Sequence, residues 1–178
     1  MHRLIAVENE SDVPAAYASG PIGALLRFHN LGAPLPEVKQ AELLIGMCMD
    51  NRKHLRIPDN FAFILRAGGA NLRYSEFKVS YAVSVGGVRA IALMGHTNCG
   101  MSGLNARRGL FVDGLVDAGW ARAAAEEHFD RNAPEHEIGN EGDFVRREAQ
   151  RLRALYPKVE VAPLVYRIED NTVALLRE

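Results

Sequence analysis

The stretch Val88-Arg89-Ala90-Ile91-Ala92-Leu93-Met94-Gly95-His96-Thr97-Asn98-Cys99-Gly100 decides how the chain is read. Its first half, Val88 to Met94, is a short apolar run of the kind that forms a strand buried on both faces of a sheet. Its second half breaks into Gly, His, Thr, Asn and Cys, residues that suit a loop and carry ligand chemistry. An open parallel sheet binds its ligands just beyond the carboxyl ends of its strands. His96 and Cys99 stand at such an end.

The same pattern recurs upstream. Leu43-Leu44-Ile45-Gly46-Met47 is apolar throughout and runs directly into Cys48-Met49-Asp50-Asn51-Arg52. Phe61 to Leu65 is another such run, expected to be buried on both faces, Val159 to Tyr166 gives a fourth strand, and Thr172 to Leu176 a fifth at an edge. Helical patterns lie between them. Tyr74 to Val85 spaces Phe77, Tyr81 and Val85 four apart and stops at Gly86-Gly87. From about Met101 to Tyr156 the chain is mostly helical. Val112, Leu115 and Val116 make one stripe, Trp120 to Phe129 is Ala-rich, Gly139 to Gly142 is a loop, and an amphipathic segment from Phe144 to Tyr156 halts before Pro157.

Strands separated by helices imply right-handed crossovers and helices on both faces of the sheet. The expected fold class is therefore α/β: a single domain over residues 1–178, with a mainly parallel β-sheet of four to five strands flanked by helices. Residues 1–35 form an N-terminal arm with a short amphipathic helix at Pro21 to Phe28, ended by Asn30 to Pro36. The arm is expected to pack on something larger, such as a partner subunit. Residues 106–142 form a helical insertion.

Composition narrows the function. A chain of 178 residues suits one compact domain with a sizeable core. A net charge of -1 argues against nucleic acid, since phosphate affinity needs clustered Lys and Arg. The pairs Arg107-Arg108 and Arg146-Arg147 are read as solvated helix faces. No apolar run approaches the roughly 20 residues that span a bilayer. The start, Met1-His2-Arg3-Leu4, leads into acidic Glu8, Glu10 and Asp12 and does not read as a secretory signal. A cytoplasmic location is the expectation, and Cys48 and Cys99, the only cysteines, are too few for a disulfide framework.

Both cysteines fall at strand ends, and that coincidence directs the chemistry. Two thiolates and one imidazole form a Cys2His set, which zinc takes in tetrahedral geometry. A structural site would close the tetrahedron with a fourth Cys or His, but no third cysteine exists. Three protein ligands, Cys48, His96 and Cys99, leave one corner for water, and zinc brings the pKa of such a water to about 7. Two thiolates cancel the ion's formal charge, so a compensating group is expected nearby. Asp50 and Arg52, two apart on an extended segment, share the face used by Cys48. Arg52 can hold Asp50 ionised by a bidentate hydrogen bond, and Asp50 can accept a proton from the water. Taken singly, each part has a plainer reading: a buried apolar Cys, a chance His-x-x-Cys, a surface ion pair of little energetic value. Each supplies what the others lack, so the joint pattern is read as a metal centre.

At these residues the sequence resembles the β-class carbonic anhydrases, whose pattern is Cys-x-Asp-x-Arg after one strand and His-x-x-Cys after another. The run from Gly95 to Met101 looks most like the short subgroup of that class. The resemblance covers roughly residues 40 to 105, with the Ala67-Gly68-Gly69 turn, and extends more weakly from Glu148 to Leu176. It implies zinc on Cys48, His96 and Cys99, a catalytic pair in Asp50 and Arg52, and reversible hydration of carbon dioxide to bicarbonate. It also implies a homodimer or higher homo-oligomer. Three departures stand out. Leu65 and Arg66 occupy places where the class has Arg-Asn, Asn98 replaces an Asp, and Gln40 is one residue off the spacing of an active-site Gln.

The leading expectation is thus a zinc lyase in which hydroxide generated at the metal attacks carbon dioxide. One alternative keeps the site and changes the substrate to carbonyl sulfide or carbon disulfide. Another is a zinc-binding protein without turnover, with Asp50 closing the fourth position. His54 is a candidate proton shuttle, though packing or surface exposure is the plainer role. Phe63 and Tyr81 are candidates for an apolar pocket but fit core packing better. Gly68 and Gly69 either let backbone approach a ligand or make the turn. His128 and His136 are expected to be exposed.

Overall fold

The computed structural model describes residues 4–35 and 37–177. Met1-His2-Arg3 and Pro36, which enter the readings above, lie outside the described residues. The strands are β1 (Leu4–Ile5), β2 (Leu43–Met47), β3 (Ala62–Arg66), β4 (Ala90–His96), β5 (Glu160–Arg167) and β6 (Thr172–Leu176). The helices are α1 (Pro21–Leu26), α2 (Glu76–Ser84), α3 (Arg108–Asp117), α4 (Arg122–His136) and α5 (Glu141–Leu155). They form one α/β domain around a single sheet of order β1-β6-β5-β4-β2-β3. Strands β3, β2, β4 and β5 are parallel, whereas β6 and β1 add antiparallel at one side.

Alternation along the strands divides the core in two. Leu43, Ile45 and Met47 of β2 and Ala92 and Met94 of β4 face α1, which buries Ile22, Leu25 and Leu26 against the chain's own sheet. Leu44, Ile91 and Leu93 face the opposite layer, where α2 contributes Val79 and α5 contributes Val145, Ala149 and Leu152. Each fully buried Leu or Ile stabilises the fold by about 1.5–3 kcal/mol relative to exposure. Helix α5 starts where the Asn140 side chain accepts from the Asp143 amide. It packs so tightly on β4 that a Cβ at Gly95 would stand 2.6 Å from Val145 Cγ2. Glycine is required there, directly before His96.

Three expectations need correction. Among the described residues the sheet has six strands rather than four to five, and Thr172–Leu176 is not its edge, because two-residue β1 pairs with it. The run from Phe61 to Leu65 is an edge strand shifted by one residue to 62–66, and Phe63 and Ile64 are 40% and 43% exposed. The stripe Phe77, Tyr81 and Val85 points outward, Phe77 being 83% exposed, while Val79 and Ala82 make the inner face of α2. Neither Phe63 nor Tyr81 is packed in the core or lines a buried pocket.

The strand order also fixes where a ligand can sit. From β2 the chain crosses to β3 on one side, and from β4 it crosses to β5 on the other. The crevice between β2 and β4 is therefore the topological switch point of the sheet. Cys48 follows β2 and His96 ends β4, so the two candidate ligands flank that crevice.

Candidate metal centre

Parallel pairing sets Met47 opposite Met94, which brings Cys48 and His96 to the same end of adjacent strands. The turn after β4 returns Cys99 to them. The sulfurs of Cys48 and Cys99 lie 3.9 Å apart. These two atoms and a ring nitrogen of His96 all fall within 4.8 Å of one another. Two sulfurs each about 2.3 Å from a tetrahedral ion stand about 3.8 Å apart, so the spacing suits zinc. All three side chains are buried, and the thiols pack with Ile138 and Phe144.

The histidine has the chemistry a metal ligand needs. His96 Nδ1 lies 3.0 Å from the Thr97 carbonyl and donates its proton there. This tautomer leaves a lone pair on Nε2, which is buried and has no hydrogen-bond partner. A buried ring nitrogen without a partner is costly unless something coordinates it. The donor set therefore fits a zinc ion.

The thiols are tuned in opposite directions. The S–H of Cys99 lowers the Cys48 thiol well below its ordinary value, with His96 and the Asp50 and Gly69 backbone amides adding to the effect against burial. Gly69 N–H reaches Cys48 Sγ at 3.3 Å. The Cys48 sulfur in turn raises Cys99, and burial adds to this. A divalent cation bound here would hold both sulfurs as thiolates.

Asp50 and Arg52 stand beside the three donors. Arg52 Nε and Nη2 donate to Asp50 Oδ1 and Oδ2 at 3.0 and 2.7 Å, and the Arg52 amide donates to Oδ1 at 2.8 Å. The Arg52 side chain is the main reason the Asp50 carboxyl is held well below the usual carboxylate range. Asp50 Oδ2 is 3.8 Å from His96 Nε2, so an ionised carboxylate stands beside the three candidate donors. Arg52 Nη2 also donates to the Asn98 carbonyl at 2.9 Å, tying the loop after β2 to the loop after β4. Asn98 takes a left-handed φ of 56°, which Asn tolerates better than most residues.

Several contacts had no sequence signal. The Glu141 carboxylate accepts from the Cys99 amide at 3.1 Å across 42 positions. Lys53 is buried at the base of the Asp50 loop, and Arg66 reaches the Cys48 carbonyl. Of the two readings of Gly69, a turn or a close backbone approach, the amide contact with the Cys48 sulfur shows a close approach, to a thiol. Other candidates lie elsewhere. Gln40 donates to the Gly86 carbonyl, before β4 and so at the opposite end of the sheet. The His54 amide donates to the Tyr166 hydroxyl. His128 is exposed, whereas His136 is partly buried and stacked on Tyr74.

No family model and no curated protein matches the chain. Solved structures do. The chain is similar to β-carbonic anhydrase isoform I of Trichomonas vaginalis at 18% identity and a TM-score of 0.63, covering 88% of this chain and 95% of that one. It is similar to a carbonic anhydrase of Streptococcus mutans at 17% identity and a TM-score of 0.60, with the same coverage. A carbon disulfide hydrolase in its apo form matches at 18% identity and a TM-score of 0.56, covering 88% and 87% of the two chains. The fold of this chain is the β-carbonic anhydrase fold.

Proposed function

We propose that this chain is a zinc enzyme that hydrates carbon dioxide reversibly, CO2 + H2O giving HCO3⁻ + H⁺. Cys48, His96 and Cys99 hold the metal, and Asp50 with Arg52 is the catalytic pair. The observation that carries this reading is the partnerless Nε2 of buried His96, set among two sulfurs and 3.8 Å from an ionised carboxylate. Zinc bound there supplies a Lewis acid that makes a water acidic enough to lose its proton near neutral pH. The chain's own groups do the rest. Asp50 is ionised and fixed by three Arg52 donors, so it would accept a hydrogen bond from such a water and orient it toward the substrate. Ile138 and Phe144 shield the thiols from solvent, which strengthens every charge interaction inside. Stopped-flow hydration of carbon dioxide by the zinc-loaded protein is the test. A rate no higher than that of Cys48→Ala would remove the proposal.

A second reading keeps the site and hydrolyses carbon disulfide or carbonyl sulfide. The similarity to a carbon disulfide hydrolase favours it. Sulfide release from those substrates, set against the carbon dioxide rate, separates the two. A zinc protein without turnover would have Asp50 on the metal, whereas both Asp50 oxygens are engaged by Arg52. The free thiols suit a reducing, cytoplasmic setting. The exposed Phe63, Ile64, Phe77 and Tyr81 around edge strand β3 support a homo-oligomer.

A further inference from the structure

Lys53 follows Arg52 and is only 4% exposed. Lysine is almost never buried to this degree without a charged partner, because its ammonium carries three N–H donors and a full charge. Its Nζ donates to the backbone carbonyl of Asp50 at 3.3 Å. A second cation converges on the same segment, for Arg66 Nη1 stands 3.5 Å from the Asp50 carbonyl and 3.4 Å from that of Cys48. Asp50 is therefore gripped at both ends, its carboxylate by Arg52 and its carbonyl by Lys53 and Arg66.

The two grips do different work. Arg52 sets the side-chain torsions of Asp50 and ties its loop to the loop after β4 through the Asn98 carbonyl. The Asp50 carbonyl reports the orientation of the peptide plane from which the side chain departs, and rotation of that plane would swing the carboxylate relative to His96. Arg66 projects from β3, outside the loop, so its contact anchors the loop to the sheet. An apolar stem would fill the space around Lys53 at lower cost than a cation. The charge needs a reason, and the carbonyl of Asp50, whose carboxylate stands 3.8 Å from His96 Nε2, provides it. The Tyr166 hydroxyl, which accepts from the His54 amide, pins the residue after Lys53 to β5.

We infer that Lys53, together with Arg66, is a positioning residue for Asp50: the two cations hold its carbonyl and so fix where its carboxylate stands against His96 and the cysteines. The inference rests on the metal-centre reading above. It assigns a role to the Leu65-Arg66 departure, since Arg66 spends its guanidinium on backbone carbonyls of the Cys48 loop.

The test uses the full chain loaded with cobalt(II), whose visible absorption reports what occupies the metal's coordination sphere. Lys53→Met keeps the stem and removes the charge and donors, and Lys53→Arg restores both. The expected result is full cobalt occupancy in Lys53→Met with altered band positions and intensities, and near wild-type bands in Lys53→Arg. In an Asp50→Asn background, Lys53→Met should change nothing further, because the carboxylate it positions is gone. Carbon dioxide hydration should show kcat reduced roughly tenfold to a hundredfold with KM nearly unchanged. Should Lys53→Met fail to fold, Arg66→Met, at an exposed side chain, carries the same comparison.

A Lys53→Met spectrum identical to wild type, or an equal change in the Asp50→Asn background, overturns the positioning role alone. A wild-type chain that takes up no cobalt overturns the metal centre and this inference with it. Cobalt spectra as expected without carbon dioxide turnover would remove the substrate assignment and support the positioning role.

Discussion

Asp50 and Arg52 meet through both carboxylate oxygens, with Arg52 Nε 3.0 Å from Asp50 Oδ1 and Nη2 2.7 Å from Oδ2. The contact holds the folded-state pKa of Asp50 below its unfolded value of about 3.9. A depressed carboxyl pKa stabilises the fold above the unfolded value and loses that contribution as pH falls through the folded one. Arg52→Met should therefore destabilise the chain at about pH 7 and do so progressively less below about pH 4. Urea titrations of both proteins across that range give the comparison. A stability gap that widens on acidification would contradict the assigned pair. The same variant should lose roughly tenfold to a hundredfold in carbon dioxide hydration, because Asp50 then drifts from its place.

Metal removal should uncouple a large part of the stability. An ion that binds only the folded chain at a thousand times its Kd adds about 4 kcal/mol. For a chain of this size that corresponds to about 8–16 °C in Tm. Scanning calorimetry before and after stripping with a strong chelator should show such a fall, reversed by zinc. His96→Ala should show no zinc-dependent shift. A His96→Ala protein that gains as much from zinc as wild type would place the ion elsewhere.

The legible parts of this molecule were those that depend on local pattern. Strand β2 and its Cys48 were readable because Leu43 to Met47 are apolar without interruption, and only a doubly covered strand requires that. The run at Phe63 and Ile64 looks the same in sequence and lies at an edge, because exposure there follows from strand order, which no short window contains. The outward stripe of α2 misled for a related reason. Its inner face is made by the smaller Val79 and Ala82, so the bulky residues lie on the outside. Strand β1, at two residues, has no period to detect. The candidate donors were visible as residue types, but Glu141 on the Cys99 amide and Lys53 on the Asp50 carbonyl arise from folding alone.

Gly69 joins two demands that one substitution can probe. Its φ is 62°, and a Cβ there would stand 2.6 Å from Ile138 Cγ2. Its amide donates to Cys48 Sγ. Gly69→Ala should cost about 2–3 kcal/mol through left-handed strain and overpacking. It should also weaken metal binding, since the amide shifts from the sulfur it supports. Chemical denaturation of the metal-free variant, with chelator competition on the loaded one, reads the two effects apart. A stability loss without any change in metal affinity would show that the amide does not support the thiolate.

Edge strand β3 carries an exposed apolar surface. Phe63 and Ile64 project to opposite faces at the sheet margin, where the outer row of backbone groups has no neighbouring strand among the described residues. Phe77, Tyr81 and Val85 extend the apolar surface along α2. Exposed apolar edges pair with other chains unless a charge blocks them. In the homo-oligomer proposed above, this margin is where a second copy would pair, strand against strand. Ile64→Lys places a charge in the middle of the strand and should shift the chain toward monomer in sedimentation analysis. Glu127→Lys, on the exposed face of α4, serves as a control for added charge and should leave assembly unchanged. Ile64 is not among the three candidate ligands, so loss of assembly with retained metal is the expected pairing of results. An Ile64→Lys protein that sediments like wild type would place the contact between copies on another face.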